Sequence, residues 1–205
     1  MSFKKWLRKK KEIFLEDGTQ NKTYSSEKEF PDKLEATKEF ERSVEKLFNV
    51  NNWSNLPGIT SKFILFDKGG KEKSETIPRK NDFIKILLPG PFPENWVKVT
   101  DIQKGESFAE FTVSPSTDPT ENKDDEGKIE HFFVDRATST FRVELRDDVI
   151  TAWEIGKQEG INDDEDAGDR EIINYPLAAG GWAFAQKMQW KKLTDYLVHK
   201  TELKE

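Results

Sequence analysis

The stretch TSTFRVELRDDVITAWEIG, residues 138–156, decides the fold class because its apolar and polar residues alternate. A period of two is typical of a strand with one face on a core and the other in water. The residues of the apolar face are Phe141, Val143 and Leu145, and those of the polar face are Thr140, Arg142, Glu144 and Arg146. Asp147 and Asp148 then provide turn residues before a second run rich in β-branched and aromatic side chains. The stretch therefore predicts two consecutive antiparallel strands.

Further short runs upstream share this richness in Phe, Val, Ile, Thr and Trp, and turn residues separate most of them. They are SKFILFD (61–67), NDFIKILLPG (81–90), NWVKVTDI (95–102), SFAEFTVSP (107–115) and KIEHFFVD (128–135). An antiparallel meander explains such a series of short strands best. We therefore predict a sheet of about six to seven strands.

Two segments show helical periodicity instead. In ATKEFERSVEKLF, residues 36–48, Thr37 is a candidate N-cap. The apolar residues that follow it at helical spacing are Phe40, Val44, Leu47 and Phe48. The second segment, near the C-terminus, predicts a helix of about five turns that starts near Gly180 or Gly181.

The predicted C-terminal helix has an apolar side with two glutamines in its middle, Gln186 and Gln189. The apolar residues of that side are Trp182, Ala185, Trp190, Leu193, Tyr196 and Leu197. A buried glutamine without partners loses about 1–3 kcal/mol in desolvation. The two glutamines therefore either pair with protein groups, lie at a wet edge, or border a cavity that holds water or a ligand.

Together these elements predict an α+β fold, in which a curved antiparallel sheet wraps on a long C-terminal helix. The length of 205 residues suits one domain of ordinary size. We assign residues 1–15 to a basic amphipathic arm, 16–30 to a polar linker, 31–198 to a single α+β domain and 199–205 to a tail.

Charge and composition exclude several function classes. The net charge is −6, and because residues 1–11 hold six basic residues and no acid, the rest of the chain carries −12. Such a body repels nucleic acid, so we expect no nucleic-acid partner. The absence of cysteine excludes disulfides, thiolate catalysis and Cys-containing zinc sites. No apolar run reaches the roughly 20 residues of a membrane span, so we expect a cytoplasmic protein, at most peripheral to a membrane.

The N-terminal arm, SFKKWLRKKKEIF, combines aromatic residues with a dense positive charge. The residues of the arm that we expect to contact a membrane or partner are Lys4, Lys5, Trp6, Arg8 and Lys9. An amphipathic helix over residues 1–14 would either lie on an anionic membrane surface or contact a partner protein. The alternative is a terminal helix whose aromatic residues pack on its own domain while the lysines face water.

The acidic segment INDDEDAGDR, residues 161–170, raises the question of a calcium site. A calcium-binding loop of this type needs a glycine at its sixth position and a closing glutamate at its twelfth. A loop that starts at Asn162 has Ala167 and Ile173 there, and the frame one residue later also lacks the glutamate. We therefore interpret residues 162–169 as a solvated, self-repelling loop and expect neither a metal site nor a cofactor.

Catalytic motifs such as a nucleophile elbow, a zinc-protease helix or a phosphate-binding loop are absent from the sequence. Of the two histidines, His199 falls at the end of the final helix, where the helix dipole favours a cation. His131 shares a strand face with apolar neighbours, and the carboxylate of Asp135 is close to it in sequence. His131 and Asp135 are therefore candidate catalytic residues, with a purely structural histidine as the alternative.

Two stretches carry a resemblance to a known superfamily: SVEKLFNVNNWSNLPG, residues 43–58, and GGWAFAQKMQWKKLTDYLV, residues 180–198. With the meander between them, they resemble the opening helix and the closing helix of the START-like, or helix-grip, superfamily. That superfamily includes the birch-pollen allergens and the polyketide cyclases. The resemblance implies a curved sheet wrapped on the long helix, with an apolar cavity between them. The strand that should precede the first helix is not recognisable in FPDKLEA, residues 30–36.

Three functions compete. The leading hypothesis is non-enzymatic binding of an apolar or amphipathic, lipid-like small molecule in an internal cavity. The predicted lining residues are Trp182, Gln186, Gln189, Trp190, Phe141 and His131. The first alternative is a small-molecule cyclase or hydrolase with His131 as general base. The second alternative is a structural or interaction protein that uses the N-terminal arm.

Overall fold

The computed structural model describes residues 13–14, 20–75, 77–89, 94–120, 137–159 and 189–203. The strands within these residues are β1 (Ile13–Phe14), β2 (Gln20–Glu29), β3 (Lys62–Phe66), β4 (Phe83–Leu87), β5 (Asn95–Lys104), β6 (Phe108–Ser116), β7 (Thr138–Arg146) and β8 (Val149–Glu159). Helix α1 is Lys33–Phe48, and a 3-10 helix, Val50–Asn55, follows it. The described part of the C-terminal helix, residues 189–197, is called α2.

The described strands form one sheet in the order β1-β2-β8-β7-β6-β5-β4-β3. From β3 to β8, each strand pairs antiparallel with the next one along the chain, so these strands form the predicted meander. The α+β fold class, with an antiparallel sheet and a C-terminal helix, is confirmed. The predicted strand at residues 128–135 lies outside the described residues.

The polar linker predicted over residues 16–30 is wrong for most of its length, since residues 20–29 form β2. This strand pairs antiparallel with β8 and closes the sheet beyond the meander. Ser26 lies opposite Ala152, and Lys28 lies opposite Ile150, so both polar residues take positions on the inner face. Because two of its inner positions, Ser26 and Lys28, are polar, β2 lacks the apolar alternation that identifies the other strands.

Two predictions about the chain ends also need correction. Ile13 and Phe14, which were assigned to the helical arm, form β1 and pair with β2; the remaining arm residues lie outside the described part. The predicted tail at 199–205 is wrong for residues 199–203, because the side chain of His199 is buried and Leu203 packs against the core. The folded unit therefore extends at both ends beyond the predicted domain limits.

Helix α1 begins after Asp32, whose carboxylate accepts a hydrogen bond from the backbone N–H of Glu35 at 2.8 Å. The predicted cap, Thr37, lies inside the helix instead. A carboxylate at the N-cap satisfies an otherwise unpaired N–H and interacts favourably with the helix dipole. The predicted apolar stripe is confirmed, since Phe40 and Leu47 are buried in the core.

Trp53 of the 3-10 helix occupies the centre of the core and is 1% exposed. Its ring centroid lies 5.7 Å from Phe63, 5.9 Å from Phe111 and 5.0 Å from Phe141, which belong to β3, β6 and β7. Its indole Nε1 donates a hydrogen bond to the backbone carbonyl of Lys46 at 3.0 Å. One side chain therefore joins helix α1 to three strands of the sheet.

A deletion series tests whether β2 is an integral strand. Removal of residues 1–30 takes away every backbone partner that β8 has in β2 and exposes a long strand edge, so we expect loss of cooperative unfolding or aggregation. Removal of residues 1–11 serves as the matched control and should leave a cooperative thermal transition, measured by circular dichroism. A cooperative transition within a few degrees of the full chain after removal of residues 1–30 would contradict the assignment of β2.

Candidate ligand-binding cavity

A cavity of about 50 Å³ lies between the inner face of the sheet, the 3-10 helix and α2. Four aromatic side chains border it: Trp53, Phe63, Phe141 and Trp190. The other apolar lining residues are Ile84, Ile86, Val97, Val113, Pro115 and Ala137. The cavity therefore borders the aromatic cluster around Trp53.

Trp190 reaches the cavity from α2 and is held by aromatic contacts with two strands. Its ring lies 5.4 Å from Phe141 at an interplanar angle of 66°, an edge-to-face contact, and 6.3 Å from Phe63. Edge-to-face pairs are favourable because the positive edge of one ring meets the negative face of the other. The contacts fix Trp190 as one wall of the cavity.

The polar groups of the cavity wall are few. The lining includes Ser114, Thr138 and Ser139, near the end of β6 and the beginning of β7, and none of the described lining residues is charged. Ser139 lies opposite Val113 in the register of the sheet, on the same inner face. The cavity thus has an aromatic wall and a short, uncharged polar rim.

One polar atom of the wall is unsatisfied. Trp190 is 9% exposed, and its Nε1 is fully buried without a hydrogen-bond partner among the described residues. A buried donor without an acceptor costs about 1–3 kcal/mol. The indole of Trp53, by contrast, has its acceptor in the backbone of Lys46.

The predicted ligand-binding residues divide into two groups. Phe141 and Trp190 line the cavity, whereas Gln189 is buried, at 7% exposed, but is not part of the lining. The other predicted residues of the site, His131, Asp135, Trp182 and Gln186, lie outside the described residues. Their roles, including general-base catalysis by His131, stay predictions.

Residues 1–12 of the arm and the acidic segment also fall outside the described residues. The predicted contact residues of the arm are Lys4, Lys5, Trp6, Arg8 and Lys9, and the acidic loop is residues 162–169. Both assignments stay predictions. Among the described residues, no helix is long and apolar enough to cross a membrane.

Sequence reasoning missed several residues of the inner face. Trp53 was not among the predicted site residues. Its position just after the apolar stripe of α1 could have indicated a core residue. Glu154, fully buried, lies opposite Tyr24 on one side and Phe141 on the other. Strict alternation along β8 would have placed Glu154 on the same face as Ala152.

A buried polar cluster around His199 connects α1 to the residues that follow α2. Lys46 Nζ donates hydrogen bonds to His199 Nδ1 and to Glu202 Oε1, each at 2.8 Å. Since an ammonium cannot accept a hydrogen bond, Nδ1 is the acceptor and the ring proton lies on Nε2. His199 Nε2 then donates to the carbonyl of Glu39 at 2.9 Å and lies 2.9 Å from Ser43 Oγ.

The environment of His199 favours the neutral imidazole. Burial lowers its pKa most, the hydrogen bond to the Glu39 carbonyl opposes this, and the positive charge of Lys46 lowers it further. The prediction that an interaction with the helix dipole, which favours a cation, explains His199 is therefore wrong. Burial also lowers the pKa of Lys46, although its ion pair with Glu202 partly compensates.

A second polar cluster fastens α2 to β2. Ser26 Oγ donates a hydrogen bond to Asp195 Oδ1 at 2.6 Å and lies 2.8 Å from Thr194 Oγ1. Lys191 Nζ donates to Ser26 Oγ at 2.5 Å and to Asp195 Oδ1 at 2.7 Å. Because polar groups bond to each other here, the inward-facing serine of β2 is satisfied, and its position fixes α2 on the sheet.

Comparisons with known proteins bear on the fold alone. The chain matches no family model and no curated protein sequence. A hypothetical protein from Helicobacter pylori has a TM-score of 0.56 at 13% identity, with 92% of each chain covered. At 13% identity this likeness shows a shared fold alone. The antiparallel sheet with a C-terminal helix that the START-like resemblance implies is present in the structure.

Two further solved structures are similar at lower scores. A norcoclaurine synthase from Thalictrum has a TM-score of 0.40 at 18% identity, with 89% of this chain and 98% of the synthase covered. The protein Ara h 8.0201 has a TM-score of 0.39 at 11% identity, with 87% of this chain and 99% of that protein covered. At such values neither likeness carries information about function.

The lowered pKa of His199 predicts a pH dependence of stability. In the window between its folded pKa and the unfolded value of 6.5, the unfolded chain binds a proton and the folded chain does not. The free energy of unfolding should therefore fall as the pH decreases from about 7.5 to about 5, by at most about 1.4 kcal/mol per pH unit from this group.

The matched variant is His199→Asn, which removes the titrating group and tolerates the positive φ of 58° at this position. Urea unfolding of both proteins should show a flatter pH profile for the variant. The second histidine, His131, is present in both proteins and therefore cancels from the comparison. Parallel profiles over this range would contradict the assignment of a buried neutral His199.

Proposed function

We propose that the chain binds an apolar or amphipathic small molecule in the cavity between the sheet, the 3-10 helix and α2. The observation that carries the proposal is a cavity of about 50 Å³ bordered by four aromatic rings beside the buried core. Protein interiors pack as densely as organic crystals, and voids larger than a water molecule are few. An apolar void beside such large side chains is therefore a place where a ligand group can replace missing contacts.

The energetic cost of the void supports this interpretation. An enclosed apolar void of this size costs about 1 kcal/mol, at roughly 24 cal/mol for each Å³, and a cavity that is partly open, as this one is, costs less. An apolar ligand group that fills the void recovers the lost dispersion contacts. Binding would therefore gain free energy from a space that the described residues leave unfilled.

The cavity volume limits what can enter. An apolar cavity of about 150 Å³ is known to hold benzene, and the present cavity has a third of that size. A short apolar group, such as the end of an alkyl chain, fits it, and the remainder of a larger ligand must lie beyond it. The rim of Ser114, Thr138 and Ser139 offers the polar contact that an amphipathic ligand needs.

The composition of the lining favours binding over catalysis at this cavity. Its described residues include no histidine, lysine or carboxylate that could act as an acid or a base. The serines of the rim would need such a partner to become nucleophiles. A cyclase or hydrolase activity would have to depend on residues outside the described lining, such as His131.

A pair of valine variants tests the proposal. Val113 lines the cavity, whereas Val143 is buried on the same inner face but is not part of the lining. Val113→Ala and Val143→Ala remove the same atoms, so each should lower the free energy of unfolding by about 2 kcal/mol. Only Val113→Ala enlarges the cavity, and it should tighten the binding of 1-hexanol by about fourfold, since each additional buried methylene contributes about 0.8 kcal/mol.

Binding of 1-hexanol is measured by chemical-shift titration of the folded proteins. Val143→Ala controls for general loosening of the core, and its affinity should equal that of the wild type. Equal affinities for all three proteins would mean that 1-hexanol binds elsewhere. Absence of saturable binding to any of them would contradict the proposal itself.

A further inference from the structure

We propose that the ligand group in this cavity carries an uncharged hydrogen-bond acceptor that receives the Nε1–H of Trp190. This inference rests on the proposed function and specifies the ligand chemistry. The cavity would take a small polar-apolar group, such as a ketone, ester or ether oxygen beside a short alkyl chain, in preference to a pure hydrocarbon.

Trp190 lines the cavity, and its Nε1 is buried without an acceptor among the described residues. Contacts with Phe63 and Phe141 hold the ring, so it is not free to turn toward a distant acceptor. Buried polar groups in folded proteins are almost always hydrogen-bonded, and an exception calls for an explanation.

Trp53 also lines the cavity but differs from Trp190 in its hydrogen bonding. Its Nε1 donates to the backbone carbonyl of Lys46, so this indole requires nothing from a ligand. Trp53 thus presents only an apolar ring to the cavity. Trp190 presents an apolar ring and has an N–H without an acceptor among the described residues.

The lining of the cavity favours an uncharged acceptor on the ligand. An indole N–H is a donor only, so the ligand atom must be an acceptor. None of the described lining residues is charged, so a carboxylate or phosphate would lose its hydration without an opposite charge to compensate. A neutral oxygen has a much smaller desolvation cost than a charged group. One hydrogen bond from the indole N–H offsets much of that cost.

A matched pair of probes tests this inference. Butan-2-one and 2-methylbut-1-ene have nearly the same shape, but the first has a carbonyl oxygen where the second has a methylene group. Their affinities for the wild type, for Trp190→Phe and for Trp153→Phe are compared by chemical-shift titration at millimolar concentrations. Trp153 belongs to β8 but is not part of the cavity lining, so its replacement is the control.

We expect Trp190→Phe to weaken butan-2-one about fivefold relative to 2-methylbut-1-ene, because one neutral hydrogen bond of about 1 kcal/mol is lost. The use of a ratio removes the effect of the smaller phenyl ring, which changes the cavity for both probes. Trp153→Phe should leave the ratio unchanged. The Nε1–H resonance of Trp190, identified by its absence in Trp190→Phe, should shift with butan-2-one and not with the alkene.

The outcomes separate this inference from the proposed function. In one outcome both probes bind, the affinity ratio is the same in all three proteins, and the Trp190 resonance responds equally to both probes. The acceptor inference is then wrong, while the cavity remains a binding site. If neither probe binds, the proposed function fails and the inference fails with it. A shift of the Trp53 resonance alone would also overturn the assignment to Trp190.

Discussion

The contact of Trp53 with three strands is the constraint on which the rest of the structure depends. Its ring touches Phe63, Phe111 and Phe141, and its indole N–H is bonded to the last turn of α1. Removal of so large a buried ring typically costs 3–5 kcal/mol, a large part of the stability of an ordinary domain. The strands fix the positions of the rings around Trp53. Between these rings and the ring of Trp190 there remains a cavity that the described side chains do not fill.

Helix α2 has two ends of different character. Toward its C-terminal end, Ser26 binds Asp195, and beyond it His199 binds Lys46, so hydrogen bonds to β2 and α1 fix the helix on the sheet. Toward the other end of its described residues, Trp190 borders the cavity with an unsatisfied N–H. The polar clusters therefore set the position of the helix, and in the proposed complex the fixed helix would hold the Trp190 donor in place for a ligand. Such preorganisation reduces the entropy lost on binding.

Strands with apolar alternation could be predicted from the sequence, and those without it could not. Phe141 and Val143 identified β7 correctly, whereas the inward Ser26 and Lys28 of β2 gave a pattern typical of a linker. Their partners are distant in sequence: Thr194 and Asp195 of α2 bond to Ser26, and the carbonyl of His199, just after α2, accepts from Lys28. The interpretation of His199 was wrong for the same reason, since its pKa depends first on burial and then on Glu39 and Lys46, which belong to another helix. In the site, periodicity identified Phe141 and Trp190, but a cavity is a property of packing in three dimensions, which no local pattern contains.

The most direct test of the central claim, that the cavity admits a ligand, is the crystal structure of the protein under xenon pressure. Xenon occupies apolar cavities without any need for polar contacts, so it tests access to the void independently of ligand chemistry. The account predicts a xenon peak in contact with Trp53, Phe141 and Trp190. A structure without a peak there, in crystals of Val113→Ala as well as of the wild type, would contradict it.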